Sequence, residues 1–244
     1  MSPRSAPVAL VLGGGGGIGA AVSRRLSADH AVVIGCRSDV DRADRLCQEL
    51  TSGGASAAVV QADVTTEKGV EAHFDKAEAL GDLRVVVDCV GGWDYPKIAD
   101  LTADDIDASL NLNLRSALLV LRESARRVAD GGRVVMLSSA AADVAPARQS
   151  TYAAAKAGLE AATRVAAKEL AGRGVTVNAV RPGATDTPYF REVTSPRAIE
   201  AMSTSNAMRR LGTPEDIAGA VMLLCSPDAA WITGTVVDAT GGLR

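Results

Sequence analysis

The chain has 244 residues, 47% of them hydrophobic, enough to bury one full core, and 26 Lys and Arg against 29 Asp and Glu leave a formal net charge of -3. The cations are scattered rather than clustered, which argues against a nucleic-acid partner, and no apolar run is long enough for a membrane span or a signal segment. Four dispersed cysteines (Cys36, Cys47, Cys89, Cys225) and two isolated histidines, His30 and His73, suit reduced thiols, no metal site and a soluble, cytoplasmic protein.

Short runs rich in β-branched residues recur along the chain: Val8 to Leu12, Ala31 to Cys36, Ala57 to Gln61, Val85 to Val90, Arg133 to Leu137, Val175 to Val180 and Val236 to Asp238. Each is apolar nearly throughout, as expected of strands buried on both faces, and the Ala/Leu/Arg/Glu stretches between them suit crossover helices. The expected fold is α/β: a single-domain Rossmann fold, with a doubly wound seven-stranded parallel sheet and helices on both faces. No linker or repeat divides it.

Between the first strand and an amphipathic helix over Ile18 to Ala28 stand five consecutive glycines, Gly13 to Gly17. A flexible linker would not sit there, whereas a phosphate-binding turn must: without Cβ atoms, a pyrophosphate can approach the backbone N–H groups and the positive end of the helix. Gly14, Gly16 and Gly19 fit G-x-G-x-x-G, while Gly13, Gly17 and Gly19 fit G-x-x-x-G-x-G. No Gly-Lys-Ser/Thr follows, so a P-loop is excluded.

Farther along, Tyr152 and Lys156 open a helix running to about Ala171. Four residues apart, they share one face. An ammonium beside a phenol favours the phenolate, which suits the phenol to general acid work. Such pairs also arise by chance on solvated faces, but here the neighbours are almost all alanine.

Taken together, Gly13-x-x-x-Gly17-x-Gly19, Ser139 thirteen positions before Tyr152, and Lys156 resemble the short-chain dehydrogenase/reductase family. The likeness spans essentially the whole chain: Asp63-Val64, Asn113, Asn178-Ala179-Val180-Arg181-Pro182-Gly183, Arg210 to Ala218, Ile232-Thr233-Gly234 and Gly241-Gly242. It is nearest to 3-oxoacyl-carrier-protein reductase-like members. The resemblance implies a carbonyl reductase with a catalytic tetrad. Tyr152 would protonate the carbonyl oxygen, Lys156 would hold the nicotinamide ribose and acidify Tyr152, Ser139 would bond the substrate oxygen, and Asn113 would hold a water beside Lys156. It implies cofactor contacts from Gly13, Gly15, Gly16, Gly17, Ile18 and Gly19, from Asp63 and Val64 at the adenine, from Gly91, and from Pro182, Gly183, Thr185 and Thr187 at the nicotinamide. It also implies a homotetramer, pairing apolar helices over Leu110 to Val128 and Tyr152 to Leu170. The alternative is a dinucleotide-binding regulator of the same fold that has lost the chemistry, but a regulator would be free to lose the tetrad. A nucleotide-sugar epimerase usually needs a longer C-terminal region than follows Pro182.

The chain departs from the family pattern at Leu12, where threonine is usual, at Asp88-Cys89-Val90-Gly91, where Asn-Asn-Ala-Gly is usual, and at Thr240, often aspartate. With Leu12 apolar, Asp88 must bond elsewhere, since an unpaired carboxylate there would be costly. After the second strand comes Arg37-Ser38 rather than the carboxylate of an NAD site. A guanidinium and a hydroxyl suit a 2′-phosphate, hence NADPH over NADH, although Asp39 and Asp41 lie close by. Trp93, Tyr95, Tyr189 and Phe190 fall in expected loops at the carboxyl ends of strands. There they would wall the site of a small-molecule carbonyl substrate, an acyl thioester or an aromatic, polyketide-like ketone, or simply anchor a loop. The segment Tyr189 to Met208 is the expected lid.

Overall fold

The computed structural model describes residues 6–93 and 96–243, so Tyr95 lies outside the described residues. Seven parallel strands form one sheet in the order β3-β2-β1-β4-β5-β6-β7: β1 Pro7–Leu12, β2 Ala31–Cys36, β3 Ala57–Gln61, β4 Asp82–Asp88, β5 Arg133–Leu137, β6 Thr176–Pro182 and β7 Val236–Ala239. The chain reverses direction across the sheet between β1 and β4, the place where open α/β sheets bind ligands.

Alternate residues of each central strand feed two cores. Val8, Leu10, Leu12, Val33, Val86, Val134 and Met136 face one side, against Val70 and Phe74 of α3 (Glu67–Leu80), Val120 of α5 (Ser116–Arg127) and Leu159 of α7 (Ser150–Leu170). Ala9, Val11, Ile34, Val87 and Val135 face the other, against Val22 of α1 (Gly17–Leu26), Leu46 of α2 (Val40–Ser52) and Val221 of α10 (Pro214–Cys225). Burial on both faces is why these strands read as unbroken apolar runs. No helix among the described residues is long and apolar enough to cross a membrane.

Two expected elements differ by more than two residues at an end. The fourth strand starts at Asp82 and stops at Asp88, two residues short of Val90, because the Asp88 carboxylate accepts the Val90 N–H at 3.0 Å and turns the chain out of the sheet. The single helix expected from Leu110 to Val128 is instead α4 (Ala103–Leu110), a π-helical turn over Asn111–Arg115, and α5. The bulge holds Asn113 inward, where its Nδ2 donates to the Gly92 and Ser109 carbonyls at 2.9 and 3.0 Å. Tyr189 and Phe190, expected in a loop, lie in α8 (Pro188–Val193), followed by α9 (Pro196–Thr204).

Candidate active site

Two adjoining cavities lie at the carboxyl ends of the central strands. The larger, about 440 Å³, is lined by Gly13, Gly16, Gly17, Ile18, Gly19, Gly91, Ser139, Tyr152, Lys156, Pro182, Gly183, Thr185 and Thr187. The smaller, about 330 Å³, shares Gly13, Gly16 and Gly91 with it and adds Gly15, Arg37, Ser38, Asp63 and Val64. The structure thus brings residues scattered over the whole chain onto one continuous trough. Asn113 stands behind it, 1% exposed.

The glycine run is shaped by contacts no other residue could make. Gly13 has a φ of +70, and a Cβ on Gly19 would lie 2.1 Å from the Gly13 carbonyl oxygen, so the turn closes on itself. A Cβ on Gly17 would meet Thr187 at 2.6 Å. Gly16 caps α1 with no side chain in the way, leaving the helix N-terminus open to an anion. Thr187 in turn caps α8, accepting the Phe190 N–H at 3.1 Å.

Around Tyr152, the hydrogen-bonding groups converge. Lys156, only 2% exposed, donates from Nζ to the Leu137 carbonyl at 2.8 Å and the Val90 carbonyl at 3.2 Å, and its Nζ lies 6.0 Å from the Tyr152 ring centroid. Ser139 Oγ accepts the Ala141 N–H at 3.1 Å. A Cβ placed on Gly91 would be 3.1 Å from Lys156 Nζ and 3.2 Å from Asn113 Oδ1, so these two polar atoms flank the same small space. Beneath the serine turn, Ser138 Oγ donates to Glu160 at 2.6 Å, and Arg181 holds the same carboxylate through Nε at 3.0 Å and Nη2 at 2.9 Å. This buried bidentate pair ties β5, β6 and α7 together immediately below the site.

At the far end of the trough, β2 stops at Cys36 as expected, leaving Arg37 and Ser38 beyond it. Asp39, which could have approached a ribose, is engaged as the cap of α2, accepting the Arg42 N–H at 3.1 Å. The Asp63 carboxylate accepts from Thr65 N–H and Oγ1 at 2.9 and 2.8 Å, which together with nearby Arg37 holds it below the usual carboxylate range. Arg42 also lines this cavity and was missed in the sequence, where the first turn of an ordinary helix carries no signal for it. Met202, Ser205 and Asn206, inside the segment expected as a lid, line the larger cavity together with Leu243, for which the sequence carries no signal because only folding brings the chain's end over the site.

Trp93 joins α7 to α8. Its ring is tilted against Tyr152 at 5.7 Å and edge-on to Tyr189 at 5.1 Å, and the Tyr189 hydroxyl donates to the Trp93 carbonyl at 3.0 Å. Thr240, a departure from the family pattern, packs its backbone on Gly183 and accepts the Leu243 N–H at 3.3 Å.

Residues 14–244 match the family model described as enoyl-(acyl carrier protein) reductase. A short-chain type dehydrogenase/reductase of Picea abies is 36% identical over 247 residues, covering 96% of this chain and 91% of the relative. Among solved structures, a dehydrogenase/reductase from Sinorhizobium meliloti 1021 has a TM-score of 0.93 at 33% identity, over 98% of this chain and 96% of that one. The angucycline C-6 ketoreductase LanV, solved with bound NADP, has a TM-score of 0.91 at 27% identity, over 98% and 97%. With sequence and fold both matched from the glycine turn to the C-terminal segment, the chain belongs to the short-chain dehydrogenase/reductase family.

Proposed function

We propose that the chain is an NADPH-dependent ketoreductase, in which Tyr152, Lys156, Ser139 and Asn113 reduce a ring-bearing ketone. The observation that carries the reading is that Ser139, Tyr152 and Lys156 line the same cavity as the glycine turn. The trough fits a dinucleotide: backbone N–H groups and a helix N-terminus at one place, Asp63 and Val64 beyond them, and cations at the end. What the bound dinucleotide supplies is hydride delivery to the carbonyl carbon. The protein's own part is charge and proton management at the oxygen. Tyr152 gives its phenolic proton to the developing alkoxide. Ser139 Oγ, whose acceptor side is taken by Ala141 N–H, turns its own hydrogen toward the same oxygen. Two of the three Lys156 donors are held by backbone carbonyls, which aims the third at the ribose and Tyr152. A water held by Asn113 Oδ1 in front of Gly91 would carry the replacement proton.

The substrate half of the cavity supports a flat, apolar substrate: Trp93, Val144, Pro146, Tyr189, Phe190 and Met202 line it, and the α8–α9 segment is the lid. Purified protein incubated with NADPH and a panel of cyclic ketones and 3-oxoacyl thioesters, followed at the nicotinamide absorbance, tests the reading. Absence of turnover across the panel would refute it.

Cofactor choice rests on Arg37 and Ser38, with Arg42 as a second cation at the same end. Arg37→Ala should cost about 1.5 to 3 kcal/mol of NADPH binding, the range for a hydrogen bond to a charged group, and leave NADH use almost unchanged. The check is kcat/KM for both cofactors; equal or better use of NADH by the wild type would mean that Arg37 is misassigned.

A homotetramer is expected as well. Leu118 of α5 and Val165 of α7 are apolar yet exposed, and alanine-rich faces allow helices to approach closely across a two-fold axis. Light scattering should give four chains per particle at micromolar concentration; a monomer would overturn this.

A further inference from the structure

Asp88 ends β4 as a carboxylate only 2% exposed, where the family pattern has asparagine. Its neighbour across the β1 pairing is the apolar Leu12, so that side offers it nothing. Its hydrogen bond comes from the Val90 N–H, and the carbonyl of the same Val90 accepts from Lys156 Nζ. One residue thus stands between a buried carboxylate and a buried ammonium, with a polar backbone group turned to each.

We propose that Asp88 is a positioning residue for Lys156: its carboxylate, linked through the backbone of Val90, keeps the Lys156 ammonium charged into the alkaline range and so preserves its donors for the cofactor ribose and Tyr152. The inference rests on the ketoreductase reading in giving Lys156 those two tasks. Burial lowers the Lys156 ammonium below the ordinary lysine range, and Asp88 is the foremost group raising it again. Burial pushes the Asp88 carboxyl itself up to about 6, against the pull of Lys156 and of the Val90 N–H, so near neutral pH it is mostly ionised. The other titratable groups here are Tyr152, one turn before Lys156, Cys89 beside Asp88, and Cys225, which acts on Cys89 from α10. Burial raises both thiols far above the usual range, so neither carries charge near neutral pH. Asp88 pairs across the sheet with Leu12 and Met136, and Asn113 shares the space in front of Gly91 with Lys156 Nζ; all three are uncharged.

Asp88→Asn keeps the shape and an acceptor for the Val90 N–H while removing the charge, and without that charge Lys156 gives up its proton at lower pH. NADPH affinity, followed by nicotinamide fluorescence from neutral to alkaline pH, is expected to fall about one pH unit earlier in the variant. Loss at the same pH in both proteins overturns the proposal, whatever happens to thermal stability. The wild type offers a test without substitution. In protein carrying 13Cε-labelled lysine, the Lys156 resonance should move in two steps, near pH 6 as Asp88 ionises and again as Lys156 loses its own proton; a single step overturns the proposal. A protein that shows both steps but reduces no ketone refutes the ketoreductase reading alone.

Discussion

Replacing Tyr152 by phenylalanine is expected to lower ketone reduction to about a hundredth of wild type or less, the usual worth of a positioned general acid, while leaving NADPH affinity nearly intact. The separation follows from the packing. Tyr152 is buried, and its ring rests against Trp93, a contact phenylalanine reproduces without a cavity or a shift of α7. Only the proton donor is lost. Lys156 keeps its bonds to Leu137 and Val90, so the ribose contact assigned to it is untouched. Steady-state rates and fluorescence titration of NADPH measure the two quantities separately; residual activity above about a tenth of wild type would remove Tyr152 from the role.

Lys156→Ala should behave differently, losing turnover and weakening cofactor binding together, because the proposed function gives Lys156 both the phenol and the ribose. Unchanged NADPH affinity would refute the ribose contact. Stability should change too. The variant strips the Val90 and Leu137 carbonyls of their common donor, at a cost of about 1 to 3 kcal/mol for a buried group left unpaired. It also leaves Asp88 without the cation that draws its pKa down. Because burial favours the neutral carboxyl in the folded state, the fold binds the proton more tightly than the unfolded chain, and stability falls as pH rises from the ordinary carboxylate range to the folded value. In the wild type that fall ends near pH 6. Without Lys156 it extends to higher pH, so the variant should lose more Tm than the wild type between mildly acidic and mildly alkaline buffer. Parallel melting curves would contradict this account.

The central strands were legible in the sequence because a strand buried on both faces must be apolar nearly throughout; β2 and β5 came out with their expected bounds. The glycine turn was legible for a comparable reason, since a strand and a helix meet there at a distance only hydrogen side chains permit. The spacing of Tyr152 and Lys156 was legible because a helix turns at a fixed rate. None of these features needs a partner from elsewhere in the chain to be recognised.

What the sequence left open is decided by partners brought from far away. Asn113 sits on a π-turn rather than mid-helix because Gly92, twenty-one positions earlier, offers both a carbonyl and an N–H to its side chain. The fourth strand ends early because Asp88 bonds within its own turn and not across to Leu12. Asp39 read as a rival for the ribose until the start of α2 was seen to take its carboxylate as a cap. Arg42 and Leu243 belong to the trough only because α2 and the chain's end fold over it. The sequence by itself determined the fold class and brought out the glycine turn and the Tyr152–Lys156 pair, since periodicity and spacing are local properties of a chain, while Ser139 and Asn113 entered only through the resemblance to a family. That Asp88 and Lys156 bond the same residue, Val90, and which side chains line the larger cavity, only the tertiary structure decided, because burial and hydrogen-bond partnership depend on elements that meet in space and not along the chain.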